Sequence, residues 1–262
     1  MLHGILDRNI IKDVIKGGAL DSVGSFLPNT YSNLVLWLDA HDSSTLTKSA
    51  NRVSQWTDKS PAGNTVVQAT GGSQPLYVAS AINSRPAIQF RDDGSTRFLS
   101  KTDAVSLDYT ALHGFIVFNR LTDLGASETQ FGKWSPTSNL REFRSLINSS
   151  DFYALQTTSD GSTVVAANVS GAVSTSTNYI GEFNWPGSTT INATKNNGTN
   201  VSNTITSVFA GAAPLTVGAN GNGGEPFAGY ISEILLYKAA LSTAQRLQIL
   251  KYLAQKWAIT IA

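Results

Sequence analysis

Two dense apolar runs frame the chain. Leu34-Val35-Leu36-Trp37-Leu38 lies near one end and Phe227-Ala228-Gly229-Tyr230-Ile231-Ser232-Glu233-Ile234-Leu235-Leu236-Tyr237 near the other. Both are rich in β-branched and aromatic residues and bounded by turn residues, a pattern that predicts central strands of a sheet. Between them lie short strand-like stretches: Val53–Thr57, Thr65–Thr70, Pro75–Val78, Ala87–Phe90, Leu112–Asn119, Arg141–Ile147, Phe152–Thr157, Thr163–Val169, Asn178–Asn184, Thr189–Ala193, Val201–Ile205 and Pro214–Val217. Asp58-Lys59-Ser60-Pro61-Ala62-Gly63-Asn64, Asp160-Gly161, Asn197-Gly198 and Asn220-Gly221-Asn222-Gly223-Gly224 punctuate them as turns. Strands at this even spacing predict an all-β sandwich of two antiparallel sheets. His113-Gly114-Phe115-Ile116-Val117-Phe118 is too continuously apolar to be half exposed, so it predicts a buried strand.

The two ends carry a different period. Ile5, Leu6, Ile10, Ile11, Val14 and Ile15 fall at helical spacing, with Arg8, Lys12 and Asp13 on the other face and Gly17-Gly18 as a stop. Residues 1–33 therefore predict an N-terminal amphipathic helix and linker. So short a helix needs its apolar stripe buried, either on the sandwich flank or in another protein. At the C-terminus, Ser242-Thr243-Ala244-Gln245 has capping-box spacing, and Leu247, Leu250, Ala254 and Trp257 form one seam. A helix over Thr243–Trp257, packed on a sandwich spanning 34–262, is expected.

Composition narrows the setting. A chain of 262 residues with 41% hydrophobic residues suits one large all-β domain plus an appendage. Only 14% of residues are charged, so Ser, Thr, Asn and Gly must cover the surface, as in extracellular and virion β-proteins. The net charge is +1 with Lys and Arg scattered, which argues against a nucleic-acid partner. There is no cysteine, hence no disulfide and no thiolate metal site. No stretch approaches the roughly 18–20 apolar residues of a membrane span, so no membrane insertion is expected. Asp7, Arg8, Asn9, Lys12 and Asp13 interrupt what would be the apolar region of a secretory signal. Synthesis in a cytoplasm without the usual export route is expected, a condition that bacteriophage virion proteins meet.

Leu36-Trp37-Leu38-Asp39-Ala40, Val53-Ser54-Gln55-Trp56-Thr57-Asp58-Lys59-Ser60, Gln74-Pro75 and Arg85-Pro86-Ala87-Ile88-Gln89-Phe90 make one group of motifs. Phe227-Ala228-Gly229-Tyr230-Ile231-Ser232-Glu233-Ile234 followed by Ala240-Leu241-Ser242 makes another. Together they resemble the opening and closing modules of concanavalin A-like, laminin-G-like jelly rolls, domains common in bacterial surface proteins and bacteriophage structural proteins. The resemblance runs from about Leu34 to Ile259 and implies the fold. It implies little about activity, since this fold hosts lectins, glycosidases and purely structural domains.

Candidate chemistry is sparse. Glycosidases of this fold carry a Glu-x-Asp-x-x-Glu strand, and none of Glu128, Glu142, Glu182, Glu225 and Glu233 has a partner at that spacing. With no Gly-x-Ser-x-Gly elbow either, no catalytic residues are assigned and a non-enzyme is expected. Asp39 and Asp42 offer oxygen ligands to calcium, though side-chain caps of turns explain Asp39 and Asp58 equally. No other cofactor is indicated. Trp37, Trp56 and Trp257 fit core periodicity. Trp134 and Trp185 sit at loop-like positions beside Asn and Ser, as sugar-stacking platforms would, or as loop residues folded onto the sandwich.

The reading that follows is a bacteriophage virion structural protein of head, neck or tail, of decoration or fibre type. Its N-terminal segment would anchor it to other virion proteins or to its own copies as a homo-oligomer, and the jelly roll would engage host-surface glycans. A free bacterial carbohydrate-binding module or lectin is the alternative, and a glycan-degrading enzyme with an unfamiliar acid pair is a third.

Overall fold

A computed structural model describes residues 26–91 and 94–262. The expected N-terminal helix, with Ile5, Leu6, Ile10, Ile11, Val14 and Ile15, lies outside the described residues. Seventeen strands follow: β1 (Leu34–Asp39), β2 (Leu46–Ser49), β3 (Arg52–Trp56), β4 (Val66–Val67), β5 (Leu76–Ile82), β6 (Arg85–Gln89), β7 (Leu99–Lys101), β8 (Leu112–Arg120), β9 (Glu128–Ser135), β10 (Leu140–Ile147), β11 (Tyr153–Thr158), β12 (Val164–Asn168), β13 (Asn178–Trp185), β14 (Thr190–Lys195), β15 (Val201–Thr204), β16 (Leu215–Val217) and β17 (Gly229–Tyr237). Among the described residues there is one α-helix, α1 (Thr243–Trp257), which follows the last strand.

The fold is a concanavalin A-like β-sandwich in which every pairing between named strands is antiparallel. One layer runs β1–β17–β8–β13–β14–β15. The other runs β4–β7–β16–β9–β10–β11–β12. Strands β3, β5 and β6 join them, because β6 pairs with the start of β17. The two apolar runs that frame the sequence, β1 and β17, are thus hydrogen-bonded neighbours in the sheet.

Strand alternation separates two cores. In β8, Leu112, Ile116 and Phe118 face the other layer and pack with Phe131, Phe143, Phe183 and Leu236. Phe115 and Val117 face outward and are covered by Ile249, Leu250, Leu253 and Trp257 of α1. That second cluster explains why β8 is apolar on both faces. The helix has the expected limits, and its capping box forms between Ser242 and Gln245. Its buried stripe is rotated from the expected seam: Ile249 and Leu253 are buried, while Leu247 and Ala254 are only partly covered. Among the described residues no helix is long and apolar enough to cross a membrane.

The sequence reading missed β9. Glu-Thr-Gln-Phe-Gly-Lys-Trp-Ser has too many polar residues for a buried strand, yet all eight positions are buried. Ion pairs make this tolerable: Lys133 Nζ lies 2.8 Å from Glu142 and from Asp103, and Arg120 pairs with Glu128 at 2.6 Å. Residues 26–33, expected as linker, pack on the sandwich. Phe26 sits against Tyr31 and Tyr252, and Tyr237 donates to the Pro28 carbonyl at 3.0 Å.

A buried carboxylate fixes the helix to the sheet. Glu233 is fully buried. Its Oε1 accepts from Trp37 Nε1 at 2.8 Å and Tyr252 Oη at 2.9 Å. Its Oε2 accepts from Trp257 Nε1 at 2.6 Å and lies 2.8 Å from Lys256 Nζ. Every lone-pair direction is used, as burial of a charge requires. Glu233→Ala is expected to lower stability by about 2–6 kcal/mol, because it leaves the buried indole donors of Trp37 and Trp257 without a partner, at about 1–3 kcal/mol each. Urea unfolding measures it, and a loss below about 1 kcal/mol would contradict this account.

Glu142 supplies a pH test. Burial pushes its carboxyl up to about 7, against the opposing pull of Lys133. The folded protein then binds a proton that the unfolded chain releases near 4.5. This group therefore stabilises fully below about 4.5, and its contribution is lost as pH rises to about 7. Glu142→Gln should remove that downward component. The stability difference between variant and parent is expected to shift in the variant's favour from pH 4.5 to 7, measured by urea unfolding at several pH values.

Candidate functional site

The expected site residues fall in three places. Asp39 ends β1 under α1, and Asp42 caps the short turn that follows. Lys59 joins them, at 3.0 Å from Asp39 Oδ2 and 2.8 Å from Asp42 Oδ2. Lys256 takes Asp39 Oδ1 at 2.8 Å, and Ser44 takes Asp42 Oδ1. Hydrogen bonds from Lys59 and Ser44 hold the Asp42 carboxyl down at about 2. All four oxygens are occupied, so a calcium ion here would have to displace ammonium groups. Among the described residues no group of three His, Asp or Glu side chains is placed to hold a metal ion. Asp58 caps its turn as expected, accepting from the backbone of Trp37, Ser60 and Asn64.

Neither candidate tryptophan lies in a loop. Trp185 ends β13, is 8% exposed and belongs to the core between the layers; its Nε1 donates to the Ser188 carbonyl at 2.6 Å. It offers no stacking face to solvent. Trp134 lies in β9 and is 2% exposed, pointing away from that core. The Arg144 guanidinium lies over its ring at 4.5 Å. The two are not brought together.

Trp134 is nonetheless part of a cleft of about 480 Å³, lined by Pro136, Arg141, Arg144, Ser162, Val164, Asn220 and Glu225. Its wall is the Asn220–Glu225 turn. Asn220 Oδ1 accepts from the backbone of Asn222 and Gly224 at 3.1 and 3.0 Å, and its Nδ2 donates to Glu225 Oε2 at 3.0 Å. The Gly221 amide donates to the Trp134 carbonyl at 2.7 Å. Glu225 holds a left-handed backbone conformation (φ 46°) and pairs with Arg144. Arg144 also donates to Gln156 at 2.8 and 2.9 Å and to Thr129 at 3.0 Å. Burial lowers its proton affinity, and Glu225 opposes the effect.

Arg141 forms the open rim, donating to the Ser162 carbonyl at 3.2 Å. Two guanidiniums face one carboxylate, so the cleft carries one excess positive charge. It combines a fixed guanidinium, a fixed carboxylate, an amide and exposed apolar surface at Val164, the set that orients a polar ring ligand.

Sequence reasoning missed Arg141, Arg144, Asn220 and Glu225. Alternation would put Arg141 and Arg144 on opposite faces of β10. A bulge between Arg141 and Phe143 inserts Glu142 and returns both arginines to one side. No sequence signal marks that bulge.

Neither a family model nor a curated protein matches the chain. Solved structures do. The binding domain of Paraclostridial Mosquitocidal Protein 1 aligns with TM-score 0.60 and 12% identity over 84% of this chain and 52% of that one. Domain 4 of AbnA, an extracellular arabinanase of Geobacillus stearothermophilus, in complex with arabinotriose, aligns with TM-score 0.58 and 16% identity over 83% of this chain and 98% of that one. Trypanosoma rangeli sialidase in complex with DANA aligns with TM-score 0.54 and 9% identity over 83% of this chain and 32% of that one. The chain thus spans about half of the toxin domain's length, a third of the sialidase's and nearly all of the arabinanase domain. At these identities the likeness is one of fold: a lectin-like jelly roll.

Proposed function

We propose that this protein is a non-catalytic glycan-binding module, and that the Trp134–Arg141–Glu225 cleft takes the sugar. The observation that carries the reading is the cleft itself: ring-flanking apolar surface beside a guanidinium, a carboxylate and an amide already fixed by their neighbours. Prepaid ordering of polar groups lowers the entropy cost of binding a hydroxylated ligand. The unbalanced charge of Arg141 favours sugars that bear a carboxylate. The arabinanase domain, solved with arabinotriose and matched over almost its whole length, supports a saccharide ligand.

The setting we propose is a bacteriophage virion, with residues 1–25 joining the jelly roll to other virion proteins or to its own copies. The apolar positions Ile5 to Ile15 and the weakly charged surface support it. The arabinanase neighbour supports a second setting, a carbohydrate-binding module working free or beside an enzyme. Deletion of residues 1–25 separates them. In the virion setting the shortened chain keeps its fold but fails to join its particle or oligomer; unimpaired assembly would refute the anchoring role.

The binding reading is tested with the full chain on a glycan array, with calcium and with a chelator. Binding to acidic glycans is expected, weakened at least about tenfold by Arg141→Ala, since a charged hydrogen bond contributes about 1.5–3 kcal/mol. A blank array from folded protein would overturn it, and release of reducing sugar from bound glycan would overturn the non-catalytic assignment.

A further inference from the structure

On the opposite outer face, beside α1, β13 and β14 floor a second concavity of about 340 Å³. It is lined by Glu182, Asn184, Asn192, Thr194, Asn197, Asn200 and Arg246 among others. Strand period explains the lining. Phe183 and Ile191 face the core, so Glu182 and Asn184 project outward, opposite their cross-strand partners Thr194 and Asn192. The helix contributes Arg246.

Most of the lining is already committed. Asn192 Nδ2 donates to Asn184 Oδ1 at 3.0 Å, and Asn192 Oδ1 accepts from Asn200 at 3.0 Å and Ser202 at 2.8 Å. Thr194 donates to the Gly198 carbonyl at 3.0 Å. This ladder fixes the Asn184 amide with its oxygen engaged and its NH₂ free to donate.

Glu182 is the exception. Its Oε1 accepts from His113 Nε2 at 2.7 Å and Arg246 Nε at 2.6 Å. Its Oε2 is buried and accepts nothing among the described residues, although the side chain is only 2% exposed. A buried carboxylate oxygen without a donor costs free energy unless a ligand supplies one. The cup is thus walled by Glu182, whose Oε2 lies just below the surface without a donor, and it offers free donors in the Asn184 NH₂ and the terminal amino groups of Arg246.

Vicinal hydroxyls match this set, because each both donates and accepts. The Glu182–Arg246 pair is charge-compensated and the other lining groups named are amides and a hydroxyl, so the cup selects against net charge. We propose that it is a second saccharide site, taking the hydroxyl edge of one neutral sugar unit. It is independent of the Trp134 cleft, which lies on the other face and carries excess positive charge. Two sites on opposite faces make the module bivalent, able to bridge two chains of a polysaccharide or to gain by avidity on a dense surface.

The test is a titration of the ¹⁵N-labelled full chain with the methyl glycosides of glucose, galactose, mannose and arabinose, read at the asparagine side-chain amides. The expected result is a saturable shift at Asn184, Asn192 and Asn200 with at least one sugar, at Kd of about 1–10 mM, as suits a site without a stacking face. Glu182→Gln and Asn184→Ala are each expected to weaken it at least about fivefold, whereas Arg141→Ala leaves it unchanged. Two variants are used because the first also loosens Arg246; dispersion of the amide spectrum reports that each is folded. Absence of saturable shifts with all four sugars overturns the proposal, as do shifts that survive both cup variants. The Arg141→Ala array result reads the cleft alone, so either site can fail without the other.

Discussion

The molecule depends on a negative charge placed where apolar burial alone would not put it. Glu233, on β17, sits at the junction of β1, β17 and α1 and gathers donors from the other two: Trp37 from the first strand, and Tyr252, Lys256 and Trp257 from the helix. Apolar packing of Ile249, Leu250 and Leu253 holds the helix down, but such packing is tolerant of sliding. Four directional contacts on one carboxylate are not, and they set helix rotation and register together. The chain of charge then continues from Lys256 to Asp39, Lys59 and Asp42, stitching the first turn of the sandwich to its last helix. Residues whose acidity suggested metal binding are here spent on tertiary structure.

Bulges decide what each strand shows to which side. In β17 the extra residue Ser232 changes phase between Ile231, which faces the inner core, and Glu233, which faces the helix. In β10 the extra residue Glu142 does the same, placing Arg141 and Arg144 together on the outside. Both inserted residues are themselves bonded, Ser232 to the Pro86 carbonyl and Glu142 to Lys133. Close approach has its own requirement: a Cβ on Gly132 would come within 2.8 Å of Arg144 Cα and Cβ, so the Arg144 side of the cleft needs glycine there.

Much of the architecture was legible because it follows from period and punctuation. Fourteen strand stretches and the helix, down to its Ser242–Gln245 cap, were written in alternating apolar residues and turn residues. What escaped detection escaped for physical reasons. Strand β9 carries buried Glu128 and Lys133, and their partners Arg120 and Glu142 lie too far along the chain or behind a bulge to be paired by inspection. Trp134 was found, but as a platform; in the structure Arg144 covers it. Trp185 looked like a loop residue because Pro186 and Gly187 follow it, yet it is the last rung of β13, turned inward. Glu182 could not be singled out at all, since its distinction is an oxygen without a donor, a property of the assembled face.

The placement of Phe26 gives the sandwich a direction. That residue packs on Tyr31 and Tyr252, in the layer formed by α1, so anything attached ahead of it joins the domain on its helix side. The Arg141 rim belongs to the far layer. Seen from such an attachment the module has a back, the face of α1 that also carries the asparagine-lined cup, and a front, the layer of the Arg141 rim. A domain mounted by its C-terminal helix side turns the layer that carries the Arg141 rim away from the mount.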